Sequence, residues 1–166
     1  MSTNTESAAL AALASIVANN LENQHDWTNV KIHSQENLLP RQLIYGLPPK
    51  RLYVHPDEQI ETIKAEKELK EKIPQNPEYE WVLPVHLAEK KWTVGQFAAL
   101  FDAIDAIPPF AAHESSSTST RPAVDPRWEP WRGPNRMKRI LLATVQDDST
   151  VTYYFMHDGL VKPRQN

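Results

Sequence analysis

The sequence contains no cysteine, which excludes disulfide bonds and thiolate metal sites and suits a reducing compartment. It contains six histidines, but they show no HxH or HxxxH pairing of the kind that metal sites use. The histidines that we considered as ligands are His25, His33, His86, His113 and His157. We therefore expect neither a metal site nor a cofactor.

Long apolar runs are also missing, and we expect no membrane span. The N-terminal residues have no basic lead and contain Glu6, so they resemble neither a secretory signal nor an arginine-rich transit peptide. Their apolar residues recur at helical spacing, at Leu10, Leu13, Val17 and Leu21. We interpret residues 1–26 as an N-terminal helix that packs on the rest of the chain.

The formal net charge is only -3, so the protein as a whole is not a basic surface for nucleic acid. Any contact with RNA must come from a local patch. The 166 residues with 40% apolar content suit one globular domain. We place this domain at residues 27–166 and predict an α/β fold.

Short alternating runs predict strands over residues 29–34, 41–45 and 51–55, with Gly46–Pro49 as a rigid turn between the last two. A further extended, aromatic-rich run covers residues 79–85. It contains Pro84, which predicts an edge strand or a bulge at that position.

Two helices are predicted inside the domain. The first begins at Pro56, with Asp57 and Glu58 in the turn where negative charge suits the helix dipole, and Pro74 ends it. The second begins at a capping box of Thr93 and Gln96. Its apolar stripe consists of Phe97, Leu100, Phe101 and Ile104, which indicates a core helix.

Residues 108–136 have the serine, threonine and proline content of a flexible insertion. Arginines alternate there with Trp128 and Trp131, and such a mixture can stack on unpaired bases or dock in a protein groove. The alternative is that the tryptophans pack back against their own domain. The candidate RNA or partner contacts are Arg127, Trp128, Trp131, Arg132, Lys138 and Arg139.

Two apolar runs, residues 140–145 and 151–156, flank a polar turn and predict a C-terminal hairpin. Both runs are apolar on both faces, so other layers must cover them. Few residues follow the second run, and we expect it to form an apolar edge that a partner subunit pairs with or covers. The predicted interface consists of Thr152, Tyr153, Tyr154, Phe155, Met156, Leu160 and Val161.

The closing text ILLATVQDDSTVTYYFMHDG, together with GLPPKRLYVHPDEQ and EWVLPV, resembles the tRNA-splicing endonuclease family, in particular its smallest, non-catalytic subunit of the fungal form. The resemblance covers residues 43–166. It implies a nuclease fold with a mixed sheet flanked by helices, and a heterotetramer of two catalytic and two structural subunits that excises introns from precursor tRNA. It also implies a nuclear location, or the cytosolic face of mitochondria as in some fungi.

Catalytic members of the family cleave RNA without a metal, using a tyrosine, a histidine and a lysine as base, acid and cation. At the tyrosine position this sequence has Val54 or His55, and at the histidine position it has Glu78. Only the lysine has a counterpart, in Lys138 or Arg139. The resemblance therefore implies a structural subunit that is not an enzyme.

Two alternatives remain open. The first is an active RNase of the same fold that uses Tyr53, His55 and Lys138, although the family places its tyrosine and histidine on neighbouring elements rather than two residues apart. The second is an interaction module that forms a homodimer through the same edge when isolated.

The polar turn of the hairpin contains Asp147 and Asp148. In the family, an acidic loop of one subunit inserts into a basic pocket of a subunit across the tetramer, and the resemblance makes these two residues candidates for that loop. Aspartate is also common in hairpin turns for local reasons, and both interpretations can hold together.

Overall fold

The computed structural model describes residues 2–33, 41–109 and 126–163. The helices are α1 (Ser2–Gln24), α2 (Pro56–Leu69) and α3 (Val94–Ala103), and the strands are β1 (Thr28–His33), β2 (Leu43–Leu47), β3 (Glu80–His86), β4 (Arg139–Val145) and β5 (Val151–His157). Two short 3-10 turns, Glu129–Trp131 and Gly133–Asn135, precede β4. In the described part of the chain, no helix is long and apolar enough to cross a membrane.

The five strands form one mixed sheet in the order β1-β2-β3-β4-β5. The β3 and β4 strands run parallel, and the other neighbouring pairs are antiparallel. The predicted hairpin is confirmed, with Arg139 opposite His157 at its open end and Val145 opposite Val151 beside the turn. Among the described residues β5 has a neighbour strand on one side only, so its predicted position at an edge of the sheet is confirmed for this part of the chain.

Helices cover both faces of the sheet, as the mixed α/β prediction requires. On one face, Val17 and Leu21 of α1 belong to a core cluster with Ile44 and Val82 of the sheet. The other face is covered by α3, whose buried residues are Leu100 and Phe101, joined by Ile104 at its end. Because α1 shares its core with the sheet, the residues of the predicted N-terminal helix are packed on the domain that follows.

The capping box that starts α3 is confirmed. The Thr93 hydroxyl accepts a hydrogen bond from the Gln96 backbone N–H at 3.2 Å, and the Gln96 side chain accepts one from the Thr93 N–H at 2.8 Å. Two backbone donors of the first turn are thereby satisfied, which fixes where the helix begins.

Two predictions between β2 and α2 are wrong. Residues 51–55 form no strand, because no described strand pairs with them, and the side chains of Arg51, Tyr53 and His55 line a cavity described below. Gly46 and Leu47 belong to β2 instead of a turn. At Gly46 an added Cβ would lie 3.1 Å from side-chain atoms of Trp27 and Val30, so this glycine serves close packing.

The expectation of an edge strand or a bulge at Pro84 is also wrong, because β3 lies in the middle of the sheet. The proline is tolerated there since β2 pairs only with residues 80–82 of β3, and Pro84 lies beyond that ladder. The α2 helix ends at Leu69, before Pro74, because Lys70 adopts a left-handed conformation that stops the helix.

Candidate functional site

A cluster of buried charges lies where α2 meets the segment before β4. Its first member is Glu58, which is fully buried in the first turn of α2. Both of its carboxylate oxygens accept hydrogen bonds from Arg51 at 2.8 Å, and one also accepts from Arg132 Nε at 2.8 Å. Burial opposes ionisation of Glu58, but these bonds outweigh it and lower the pKa of the carboxyl group.

The second half of the cluster joins the start of β3 to the start of β4. Arg139 Nε donates to both oxygens of the buried Glu80, at 3.2 and 3.1 Å, and its Nη2 donates to Glu78 at 3.1 Å. Arg136 donates to the carbonyl oxygen of Tyr79 at 2.8 Å. Burial lowers the pKa of Arg136, while for Arg139 the two glutamates overcome burial and raise the pKa.

These residues leave an excess of positive charge and of donors. In the described part of the chain, Arg51, Arg132, Arg136 and Arg139 pair with three glutamates, so the arginines of the cluster outnumber its glutamates by one. Three buried nitrogens have no hydrogen-bond partner among the described residues. They are Arg51 Nε, Arg132 Nη2 and His157 Nε2.

A small cavity opens beside the cluster, and we call it the arginine cavity. Six of the residues that line it are Arg51, Tyr53, His55, Trp131, Arg139 and His157. They come from three parts of the chain: the segment that precedes α2, the region of the 3-10 turns and β4, and the end of β5. The predicted hairpin therefore supplies one wall of the site.

Aromatic rings fill the space between the charges. The Tyr53 ring lies 4.7 Å from the His157 ring and beneath the Arg139 guanidinium, which is 5.2 Å from its centre. His55 stacks on Trp131 at 6.0 Å with an interplanar angle of 21°. His55 Nδ1 also accepts a hydrogen bond from the N–H of Asp57 at 3.1 Å, which caps α2.

Burial sets the protonation of Tyr53 and His157, which line the arginine cavity. It raises the pKa of Tyr53 despite the opposing effect of Arg139. Burial also lowers the pKa of His157, and the positive charge of Arg139 lowers it further. At neutral pH the phenol is therefore protonated and the His157 imidazole is neutral.

The structure brings together the positions that the resemblance aligned with a catalytic triad, but not the residues that a triad needs. His55 and Arg139 line the arginine cavity, and Glu78 lies 3.1 Å from Arg139. Lys138 points elsewhere, because its Nζ donates to the carbonyl oxygen of Phe101 at 2.8 Å. The candidate set of Tyr53, His55 and Lys138 is therefore not assembled.

Sequence reasoning missed His157 as a member of this site. The sequence patterns mark it only as a possible metal ligand. Among the described residues, no group of three histidines and carboxylates could hold a metal ion. The spacing of side chains along a strand could have indicated His157, because residues two apart lie on the same face. His157 follows Tyr153 and Phe155 on the same face of β5 and therefore lies close to Tyr53.

The tryptophans of the predicted insertion contact their own domain. Trp128 is buried, and its Nε1 donates to Thr62 of α2 at 3.1 Å. Arg132 lies over the Trp128 ring at 5.4 Å, and Arg127 lies 3.8 Å from Glu68. Residues 110–125 of the insertion lie outside the described residues. The proposed RNA or partner contacts in this region stay predictions.

The edge strand β5 carries exposed apolar surface next to this site. Tyr153 and Phe155 pack on the core under α1, and the Tyr153 hydroxyl donates to Asn20 at 2.7 Å. On the opposite face Tyr154 is 57% exposed. Leu160 and Val161, beyond the strand, are 95% and 45% exposed. The predicted interface residues therefore divide into a partly buried set and an exposed set.

Part of the β5 backbone also has no strand partner among the described residues. Opposite residues of an antiparallel pair alternate between hydrogen-bonded and non-hydrogen-bonded pairs. Asp158 N donates to Lys138 O at 2.9 Å, so the even-numbered residues of β5 bond to β4 and the odd-numbered ones do not. The N–H and C=O groups of Tyr153 and Phe155 therefore point away from β4. They face the free edge of the sheet.

The hairpin turn holds the two predicted acidic residues. Asp148 accepts a hydrogen bond from the Thr150 N–H at 3.0 Å, which lowers the pKa of its carboxyl group. Asp147 is exposed and lies 3.2 Å from Nε2 of His86. Asp148 thus has the local turn role of aspartate, while the role of this loop in binding another subunit stays a prediction.

Comparison with known proteins identifies relatives over nearly the whole chain. The model of the family described as Sen15 protein matches residues 16–166. A probable tRNA-splicing endonuclease subunit tsp-1 of Neurospora crassa is 67% identical over 157 residues, which are 95% of this chain and 67% of the relative. The tRNA-splicing endonuclease subunit SEN15 of Eremothecium gossypii is 27% identical over 157 residues, covering 95% of this chain and 93% of the relative.

Proposed function

This chain belongs to the Sen15 protein family, which confirms the resemblance seen in its closing residues, and we propose that it is a structural, non-catalytic subunit of the tRNA-splicing endonuclease. We also propose that the mixed sheet and its helices have the nuclease fold of that enzyme family. Its partners are the catalytic and structural subunits, with precursor tRNA bound in the complex. The proposed compartment is the nucleus, or the cytosolic face of mitochondria.

The observation that carries the structural role is the free edge of β5. Its outward N–H and C=O groups at Tyr153 and Phe155 offer hydrogen bonds to a strand of another chain. Tyr154 on β5 is exposed, as are Leu160 and Val161 in the segment that follows the strand. A partner strand that pairs with β5 satisfies its backbone and covers Tyr154 in one contact.

The absence of cleavage by this chain is supported by the arginine cavity. Glu78 stands at the histidine position with a carboxylate in place of an imidazole, and three arginines lie within 3.6 Å of it. The amine of Lys138 is engaged by Phe101. Among the described residues, the histidine and the lysine of the family's triad are therefore not brought together in the arrangement that the chemistry needs.

Assembly with the other endonuclease subunits tests the proposal. We expect Tyr154→Ala to weaken co-purification at least about tenfold, because exposed aromatics at interfaces often contribute 2 kcal/mol or more. Leu69→Ala is the matched control, since Leu69 is also 57% exposed but lies on α2. Equal assembly of the Tyr154 and Leu69 variants contradicts the edge contact, and a homodimer without other subunits favours the interaction module.

Intron excision by the reconstituted complex tests the non-catalytic role. Lys138→Gln leaves excision unchanged if this chain is structural. In the family the lysine is the cation, and removal of one group that stabilises developing charge costs about 10² to 10³ in kcat, so a loss of that size identifies Lys138 as part of an active centre and overturns the proposal.

A further inference from the structure

We propose that the segment after β5, residues 158–163, is a strap that closes the arginine cavity and opens while the rest of the domain stays folded. An ion pair between Lys162 and Asp57 is the latch that holds the strap shut. The inference goes beyond the proposed function and does not depend on it, because it concerns how water is kept from the buried charges.

The strap has a fixed start. Asp158 N donates to Lys138 O at 2.9 Å, which ties the first residue of the strap to the residue before β4. Gly159 then adopts a φ of +110°, a backbone conformation that residues with a side chain rarely adopt. The backbone therefore leaves the strand conformation at this glycine, and three residues later Lys162 contacts α2.

Between these two ends the strap lies against the arginine cavity. Val161 is one of the residues that line the cavity, whereas the preceding Leu160 is exposed. The enclosed space is only about 20 Å³, which is room for roughly one water molecule. The Nε2 atom of His157, on the cavity wall, is buried. Val161 therefore helps to keep solvent out of a space that several charged groups surround.

The contacts of the strap are weak enough to open. Lys162 Nζ donates to Asp57 Oδ1 at 2.7 Å, and the two side chains are 45% and 40% exposed. This bond is the main reason why the pKa of Asp57 is lowered. Exposed ion pairs contribute little to stability, and Val161 is itself partly exposed. A segment held in this way opens locally far more often than the whole domain unfolds.

Opening of the strap changes the surroundings of the buried charges. Hydrogen bonds and ion pairs are stronger where water is excluded, because the local dielectric constant is low. Water that enters weakens the pairing of Arg139 with Glu80 and ends the burial of His157. The strap is thus a conformational switch that acts on the charge cluster from the end of β5.

Diethyl pyrocarbonate, a reagent that modifies neutral imidazoles, tests the strap in the full-length chain. Mass spectrometry gives the rate at each histidine, about one pH unit above the ordinary histidine pKa of about 6.5, where the rates report access. In the wild type we expect His157 to react more slowly than the exposed His25. Lys162→Glu should speed the reaction of His157 about two- to fivefold, because repulsion from Asp57 replaces the latch.

Two further variants are the controls. Lys64→Glu changes an exposed lysine of α2 that pairs with Glu61 and does not line the cavity, so it should keep the wild-type rate. The double variant Asp57→Lys, Lys162→Glu restores an attractive pair with the charges exchanged, and its rate should return towards that of the wild type. Circular dichroism checks that each variant folds, and Lys162→Gln replaces any Lys162→Glu variant that does not.

The outcomes separate a closed strap from an open tail. If His157 reacts as fast as His25 in the wild type, the cavity is not closed and the proposal is overturned. Equal His157 rates in the wild type and the Lys162→Glu variant also overturn it. An equal rise in the Lys64→Glu variant, or a double variant that stays fast, shows that the ion pair is not the latch and overturns the proposal as well.

Discussion

Replacing Glu58 with glutamine removes the negative charge at the centre of the buried cluster while keeping the size of the side chain. In the native protein the carboxylate accepts three hydrogen bonds of 2.8 Å, two from Arg51 and one from Arg132. The variant keeps one carbonyl oxygen as an acceptor and presents an amide group to arginine donors. Two guanidinium groups then lose their balancing charge in a buried site.

The expected loss of stability is about 3–5 kcal/mol, the usual cost of breaking a buried ion pair from one side. Since small domains are stable by only about 5–15 kcal/mol, this is a large fraction of the total. The loss also loosens the contact of α2 with the 3-10 turns, because Glu58 is the residue that joins Arg51 to Arg132.

Urea denaturation followed by tryptophan fluorescence measures the change, and Trp128 and Trp131 report on the region itself. Folding lowers the pKa of Glu58, so its ionised form contributes stability above its unfolded value of about 4.3 and loses that contribution as the pH falls through the lower folded value. The difference between wild type and Glu58→Gln is therefore constant near neutral pH and shrinks in acid.

Glu61→Gln is the matched control, because Glu61 lies on the same helix and pairs with Lys64 at the surface. Such surface pairs contribute little, and the control keeps wild-type stability within error. If Glu58→Gln also unfolds like wild type, the cluster does not hold α2 to the domain. A difference between variants that does not shrink as the pH falls likewise refutes the role of the Glu58 charge.

Two further changes test the packing around the site. Trp128→Phe removes the hydrogen bond to Thr62, whose hydroxyl stays buried, and should cost about 1–3 kcal/mol of stability in urea denaturation. Unchanged stability contradicts the packing of this segment on α2. Gly46→Ala places a Cβ 3.1 Å from side-chain atoms of Trp27 and Val30, and this overpacking should lower the free energy of unfolding by about 1–3 kcal/mol. A neutral or stabilising result shows that β1 moves aside freely.

Local patterns predicted the elements that depend on neighbouring residues. The C-terminal hairpin and its edge position followed from two apolar runs around a polar turn, and α3 followed from a capping box and a stripe at helical spacing. In both cases the residues that determine the element lie within a few positions of one another. The sequence therefore contains the physical cause of the structure in one short window.

The buried cluster could not be predicted in this way. Its contacts join residues far apart in the chain, such as Arg132 and Glu58, which are separated by 74 positions. Glu58 was interpreted as a first-turn residue suited to the helix dipole, and its complete burial depends on arginines from two other segments. For the same reason the alternation of Arg51, Tyr53 and His55 indicated a strand, although these side chains serve the cavity.

The central claim is that β5 is the edge through which this subunit docks, and amide hydrogen exchange tests it most directly. In the isolated chain at low concentration, the outward amides of Tyr153 and Phe155 should exchange faster than the amide of Tyr154, which bonds to β4. In the assembled endonuclease, the account predicts that Tyr153 and Phe155 become as protected as Tyr154. If those two amides exchange equally fast in the complex and in the isolated chain, no partner strand pairs with β5 and the account is contradicted.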